Sequence, residues 1–135
     1  MAENYVVKEP LTDAMIEAGA EVTKKLMDMG IPITAALWLW DPETSDDWRL
    51  VFSSPDVDSR GFEVYRQIQQ ALKELGAKAA AAPFFEITLS SPNSELVRGL
   101  KLEFKTTGPD IQRIRLKRGV AHNHYIHDAL IYRVA

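Results

Sequence analysis

The segment Ile33–Trp40 constrains the fold most, because it carries an apolar side chain at nearly every position. An acidic, proline-containing stretch, residues 41–47, follows it and leads into a second apolar segment, Trp48–Ser54. Two such segments around a polar stretch predict a β-hairpin. If Trp40 lies opposite Trp48, one face of the hairpin carries Trp38, Trp40, Trp48, Leu50 and Phe52. Cross-strand aromatic pairs of this kind contribute about 0.2–1 kcal/mol each.

The opposite face of the same hairpin is also apolar, with Ile33, Ala35, Leu37 and Leu39. A strand that is apolar on both faces is normally central in its sheet and covered on both sides. If helices cover one face alone, the other face needs a second subunit or a partner protein. The hairpin therefore predicts either an enclosed central strand or a protein that associates through its sheet.

A first helix is predicted over Thr12–Met29. Thr12 is a suitable N-cap, and Leu11 and Ile16 have the spacing of a hydrophobic contact across a helix start. Apolar residues then recur at helical spacing, and Gly30 supplies a stop signal.

A second helix is predicted over Gly61–Leu75, with Gly76 at its end and either Asp58 or Ser59 as its cap. Its buried stripe is expected to contain Val64, Ile68, Ala71, Leu72 and Leu75.

Residues 92–107 fit two patterns. One face of a helix would carry Leu96, Val97, Leu100 and Phe104. One face of a strand would carry Leu100, Leu102 and Phe104. Ser91 and Pro92 suit a helix start and Gly108–Pro109 suits a helix end, so the helix is favoured.

The remaining segments predict strands. One is expected at Phe84–Ser90, after an alanine-rich connector at residues 77–83 that extends or frays the preceding helix. Two more are expected at Ile111–Arg118 and His127–Val134, joined by a loop at residues 119–126. The order is therefore α-β-β-α-β-α-β-β in one domain, residues 1–135. This order predicts an α+β fold: a mixed or antiparallel five-stranded sheet with helices packed on at least one face.

Composition is that of an ordinary globular domain, with 46% hydrophobic and 26% charged residues in 135. The longest nearly apolar run, Ile31–Trp40, is too short to cross a bilayer, and the N-terminus does not resemble a secretion signal. A cytoplasmic location without membrane contact is therefore expected. The chain has no cysteine, which excludes disulfides, a thiol nucleophile and cysteine-bound zinc.

Charge is divided unevenly along the chain. Residues 1–60 carry twelve acids against five Lys or Arg (−7), and residues 61–135 carry seven against eleven (+4), for a total of −3. Such a division suits the steering of a charged partner, although folding more often intermixes the charges.

The three histidines, His122, His124 and His127, lie within six residues and are followed by Asp128. Imidazole and carboxylate groups bind transition metals, and neutral histidine acts as a general base. In an extended chain His127 points away from the other two, so a three-ligand site requires a bend near Tyr125. A polar hairpin loop is the favoured interpretation, and no metal or cofactor is predicted.

A basic strand precedes the histidines and places Arg113, Arg115 and Lys117 on one face. Three such cations can contact phosphates or an acidic partner, although charge on an edge strand also protects it against aggregation. The negative net charge and the pI of about 5.6 disfavour strong nucleic-acid binding. The best candidate binding surface comprises Arg113, Arg115, Lys117, His122, His124, Tyr125 and His127.

Acidic residues surround the second hairpin strand: Asp41, Glu43, Asp46, Asp47, Asp56 and Asp58. Carboxylates at strand ends can hold Mg²⁺ or Mn²⁺, but acids in loops are more often solvated or cap helices, which is the favoured interpretation. The sequence has neither a glycine-rich phosphate loop nor a G-x-S-x-G elbow, so no catalytic residue is predicted.

These patterns predict a small cytoplasmic accessory or regulatory protein that acts without catalysis, through a protein partner or self-association. The alternative is phosphate-directed binding of nucleic acid or a nucleotide, with metal-dependent hydrolysis as a variant, through the basic, histidine-bearing C-terminal hairpin. Enzymatic activity is less favoured.

Overall fold

A computed structural model of the chain describes residues 10–43, 47–80, 86–106, 108, 110–122 and 124–135. Its elements are α1 (Asp13–Asp28), β1 (Ala35–Trp40), β2 (Arg49–Ser53), α2 (Asp56–Leu75), α3 (Ala77–Ala80), β3 (Glu86–Ser90), α4 (Glu95–Glu103), β4 (Ile114–Ala121) and β5 (His124–Val134). The predicted order of helices and strands is confirmed, and the alanine-rich connector contains the short helix α3. Residues 84 and 85 of the third predicted strand lie outside the described residues.

The strands of the described part form one mixed sheet in the order β3-β2-β1-β5-β4. β1 is central and pairs antiparallel with β2 and β5, as expected for a strand that is apolar on both faces. β2 and β3 are parallel, with Ser53 beside Ser90. Each of these two strands ends in a Ser-Ser-Pro turn, residues 53–55 and 90–92, that leads into a helix.

α1 and α2 cover one face of the sheet. The cluster on this face, the α1-side cluster, contains Trp38, Trp48, Leu50 and Phe52 from the hairpin, with Trp40 at its margin. The predicted shared face of the hairpin is thereby confirmed. Ile33 also packs here rather than on the opposite face, because it precedes β1 and lies outside the alternation of that strand.

A hydrogen-bond network joins α1 to the sheet. Trp38 Nε1 donates to the carbonyl of Met15 (3.2 Å) and to the hydroxyl of Tyr132 (3.0 Å), and that hydroxyl donates to the carbonyl of Ile16 (2.6 Å). Gly19 permits this close approach, because a Cβ at that position would lie 2.5 Å from Trp38 Nε1 and from the Tyr132 hydroxyl.

α4 covers the opposite face of the sheet. In this second cluster, the α4-side cluster, Leu37, Leu39 and Val51 of the hairpin are buried against Leu100 of α4 and Ile131 of β5. Both faces of β1 are therefore enclosed by the chain itself. The condition under which one face would need a second subunit is not met.

The predicted helices are present, with shifted ends. α1 begins after Thr12, whose side chain accepts a backbone hydrogen bond as a cap. α2 begins five residues before its predicted start and passes through a non-helical Arg60 (φ −144°). Its N-cap position is Pro55, so the prediction of Asp58 or Ser59 as the cap is wrong. None of the described helices is long and apolar enough to span a membrane.

The segment that fitted both helix and strand forms α4. Ser94 is its N-cap, and the Ser94 hydroxyl accepts a hydrogen bond from the backbone N–H of Val97 (3.3 Å). The helix is shorter at both ends than the predicted span, because this cap lies beyond Pro92 and helical geometry ends at Phe104.

Candidate functional site

The candidate surface lies on the C-terminal hairpin, which is longer than predicted. β4 extends to Ala121 and β5 starts at His124, so the predicted loop at residues 119–126 is mostly paired strand. His122 follows β4 and has a positive φ of 58°, as tight hairpin turns require. Val120 and Tyr125 lie opposite each other near this turn.

Arg118 interrupts the regular alternation of β4. Its φ is 53°. Leu116 before it and Ala121 after it both belong to the α4-side cluster, although residues five positions apart in a regular strand face opposite sides. Gly119 faces the same side, because a Cβ there would lie 2.5 Å from a methyl group of Leu116. Lys117 and Arg118, the two residues between Leu116 and Gly119, are therefore placed on the opposite face, and the pairing register with β5 is unchanged across this irregularity.

β5 has a matching irregularity. Ile126 and Ala129 both pack in the α4-side cluster, so His127 and Asp128 between them face the α1 side. Asp128 is fully buried and accepts two hydrogen bonds from Arg115, from Nε to Oδ1 at 2.7 Å and from Nη2 to Oδ2 at 2.8 Å. This bidentate geometry is the strongest form of an arginine–carboxylate pair.

Two of the three predicted strand cations have partners inside the protein. The guanidinium of Arg115 also lies 5.5 Å from the centre of the Trp48 ring, a cation–π contact, and its hydrogen bond with Asp128 raises the pKa of Arg115. Arg113 donates to Glu17 of α1 at 2.7 Å, and this hydrogen bond lowers the pKa of Glu17. Arg115 therefore ties β4 to β5, whereas Arg113 lies just before β4, outside the strand predicted to contain it, and ties that segment to α1.

An exposed surface is present at the tip of the hairpin, on the α1 side of the sheet. Val120 is 57% exposed and Tyr125 is 49% exposed. The Tyr125 ring meets the His127 ring edge-on at 4.7 Å between centroids, and the His127 ring meets Trp40 at 6.1 Å. We call the following set the hairpin platform: Trp40, Lys117, Arg118, Val120, Tyr125 and His127.

The hairpin platform is cationic as well as aromatic. Lys117 and Arg118 are exposed, and neither forms an ion pair with another described residue. Asp41 follows β1 and Asp47 precedes β2, so they lie two and three strands away from β4, roughly 10 Å or more at normal strand spacing. That separation is about one Debye length at physiological salt, so these acids offset the two cations only weakly.

The three histidines do not converge. His122 lies in the turn, His124 is opposite Ala121 of the α4-side cluster, and His127 is on the other face beside Trp40. Across the ranges that the structure describes, no group of three or more His, Asp or Glu side chains could hold a metal ion. Of the seven predicted surface residues, Tyr125 and His127 are in contact, and Lys117 lies on the neighbouring strand opposite Asp128.

The acidic residues after β2 are engaged in local contacts. Asp56 pairs with Arg60 at 3.0 Å, and Asp58 accepts a hydrogen bond from the Ser91 hydroxyl at 2.8 Å. Asp46 lies outside the described residues. The Asp56–Arg60 pair lies within α2, and the Asp58–Ser91 contact joins the start of α2 to the turn after β3.

Trp40, Arg118 and Val120 complete the hairpin platform and were missing from the predicted surface. The pair Arg118-Gly119 was the available signal, because a glycine inside a strand pattern often marks a bulge that changes which side chains share a face. Trp40 could not be found in this way, because it comes from β1, a distant part of the sequence.

α2 carries a second exposed aromatic surface that the sequence patterns did not reveal. Phe62 is 78% exposed and Tyr65 is 46% exposed, and with Met29 they line an open depression of about 590 Å³. Val64 and Ile68 form the buried stripe of this helix, as predicted. Aromatic residues outside the buried stripe of an amphipathic helix are the sequence signal for such a surface.

No family model, curated protein or solved structure matches this chain. The chemistry and geometry of the surface are therefore the basis for assigning a function.

Proposed function

We propose that this protein is a non-catalytic accessory protein that binds another protein through the hairpin platform. The observation that supports the proposal is the exposure of Val120 and Tyr125, side by side on paired strands. Tyrosine and arginine are enriched among the residues that dominate binding free energy at protein interfaces. Because these side chains stand on hydrogen-bonded strands, binding orders less of the chain and costs less entropy.

A separate partner protein fits this surface better than self-association through β1. The second apolar face of β1 was the reason to expect self-association, and α4 covers that face with Leu100. The hairpin platform lies on the face of the sheet opposite α4, with Val120 more than half exposed.

The phosphate-directed alternative has less support. Arg113 pairs with Glu17, and Arg115 pairs with Asp128. Lys117 and Arg118 are therefore the hairpin cations left to contact a phosphate. A labelled single-stranded oligonucleotide separates the two functions, since phosphate binding weakens steeply as salt rises. We expect no binding. Salt-sensitive binding that Lys117→Ala abolishes would favour the alternative.

Site-specific photocrosslinking tests the protein-binding proposal. A photoreactive amino acid at Val120, introduced in the native cells, is expected to give a discrete protein adduct that disappears when Tyr125→Ala is added. The matched control is the same amino acid at Leu102 of α4, which is 68% exposed and lies far from the platform in sequence. Absence of an adduct at Val120, or the same adducts at both positions, would contradict the proposal.

A further inference from the structure

β4 stands at an edge of the sheet. Within the described residues it pairs with β5 alone, so the backbone N–H and C=O groups on its other side have no strand beside them. Such an edge can accept an extended segment of another chain by strand addition. Building on the proposed function, we infer that the partner contributes an extended acidic segment that pairs with β4 along Ile114–Lys117.

The regular part of the edge is short and well defined. Ile114–Lys117 pairs with residues 128–131 of β5 without a break in register. Arg118, with its positive φ, ends this stretch. A strand added along Ile114–Lys117 would therefore run directly toward Val120, the exposed apolar side chain of the hairpin platform.

Charge selects an acidic occupant. Lys117 and Arg118 carry two positive charges that no described acidic side chain pairs with. Carboxylates on an added strand would lie beside these two cations, and opposite charges on neighbouring strands stabilise their pairing. An apolar residue in the same segment could cover Val120.

A second copy of this chain is a poor occupant of the same edge. Antiparallel pairing of two β4 strands would bring Lys117 and Arg118 of one copy close to Arg113 and Arg115 of the other. Like charges opposite each other destabilise strand pairing. The cations that protect the edge against self-pairing are thus the ones that favour an acidic strand.

Designed peptides and the full-length protein test this inference. The probe is a labelled peptide of about eight residues that alternates glutamate with valine or threonine, the length of an ordinary strand. One control replaces each glutamate by lysine, and another places proline in the middle, which removes a backbone donor and breaks strand pairing. Fluorescence anisotropy is expected to detect binding of the acidic peptide alone. Hydrogen exchange is expected to show slower exchange of the amides of Ile114–Lys117 in the complex.

Charge reversal locates the interaction. Lys117→Glu combined with Arg118→Glu is expected to weaken binding of the acidic peptide by about tenfold or more. The matched control reverses two other exposed lysines, Lys101→Glu with Lys105→Glu, and is expected to bind as the wild type does. Circular dichroism checks that both variants fold.

Two results would overturn the inference: no binding of the acidic peptide, or binding that leaves the β4 amides unprotected and survives the reversal at Lys117 and Arg118. If the crosslink at Val120 succeeds while the acidic peptide fails, the hairpin platform binds a partner of another kind, and the proposed function stands. If the crosslink at Val120 fails as well, both proposals fail.

Discussion

Tyr132 connects α1 to the sheet through its hydroxyl, which donates to the Ile16 carbonyl and accepts from Trp38 Nε1. Burial raises the pKa of the Tyr132 phenol above its ordinary value of 10.0. Because the folded state holds this group neutral, its contribution to stability is complete below the pKa of the unfolded chain. That contribution is lost as pH rises above about 10, where the unfolded tyrosine ionises more readily than the folded one.

Tyr132→Phe is expected to lower the free energy of unfolding by about 1–3 kcal/mol at neutral pH, because two buried hydrogen bonds are lost. Above about pH 10 the wild type should lose stability faster than the variant, since the variant lacks the phenol. Urea unfolding measured from neutral to alkaline pH checks both effects. Tyr65→Phe, which alters an exposed ring, is the control. If the free energy of unfolding fell equally with rising pH in the wild type and in Tyr132→Phe, Tyr132 would not contribute to the alkaline loss of stability.

At the scale of the elements, α4 is held against the sheet where the hairpin platform begins. A Cβ on Gly99 would collide with the backbone oxygen of Ala121, so the helix approaches β4 at its closest there. Ala121 directly follows Val120 in β4. The contact therefore supports the strand end that carries the exposed platform residues, from the opposite face of the sheet.

Gly99→Ala is expected to destabilise the protein by roughly 1–3 kcal/mol, because the added methyl group meets backbone that cannot move aside cheaply. This loss outweighs the gain of up to about 1 kcal/mol in helix propensity. Gly61→Ala in α2 is the matched control: no atom lies within 4 Å of its added Cβ, so a gain of about 0.4–1 kcal/mol is expected. Urea unfolding of both variants checks this. Equal shifts of the unfolding midpoint in Gly99→Ala and Gly61→Ala would contradict close packing at Gly99.

Local signals predicted the elements better than their ends or contacts. Thr12 marked the start of α1 because a cap acts within one turn of helix. Local patterns could not show that β4 extends to Ala121 and that β5 begins at His124, because pairing between the strands and packing on α4 stabilise that extension. The partner of Arg113 is equally hidden, since Glu17 lies 96 residues away in the sequence. The predicted binding surface therefore stays a prediction, and the structure adds neighbours to it that the sequence did not show.

At the scale of the whole molecule, the sheet separates two clusters that are both enclosed by helices of the same chain. In the part of the chain that the structure describes, two exposed aromatic surfaces lie outside this enclosure: the hairpin platform around Val120 and Tyr125, and the α2 surface around Phe62 and Tyr65. The first adjoins a free strand edge and two cations, and the second lies on a helix with acids, amides and bases intermixed. The first surface is therefore the one on which we propose recognition of a charged segment.

The purified protein is expected to be a monomer of 15.2 kDa, because β1 is enclosed and the cations of β4 oppose pairing of two edges. Sedimentation over a wide range of concentration checks this. At about 1 M salt the Debye length falls to about 3 Å, which screens the repulsion between the β4 cations of two copies. Any association through β4 should therefore appear only at high salt. A dimer at low salt would contradict the expectation. If Phe62→Glu then abolished that dimer, the dimer contact would be assigned to α2, because the substitution puts a charge into the exposed aromatic surface of α2 and leaves the β4 edge unaltered.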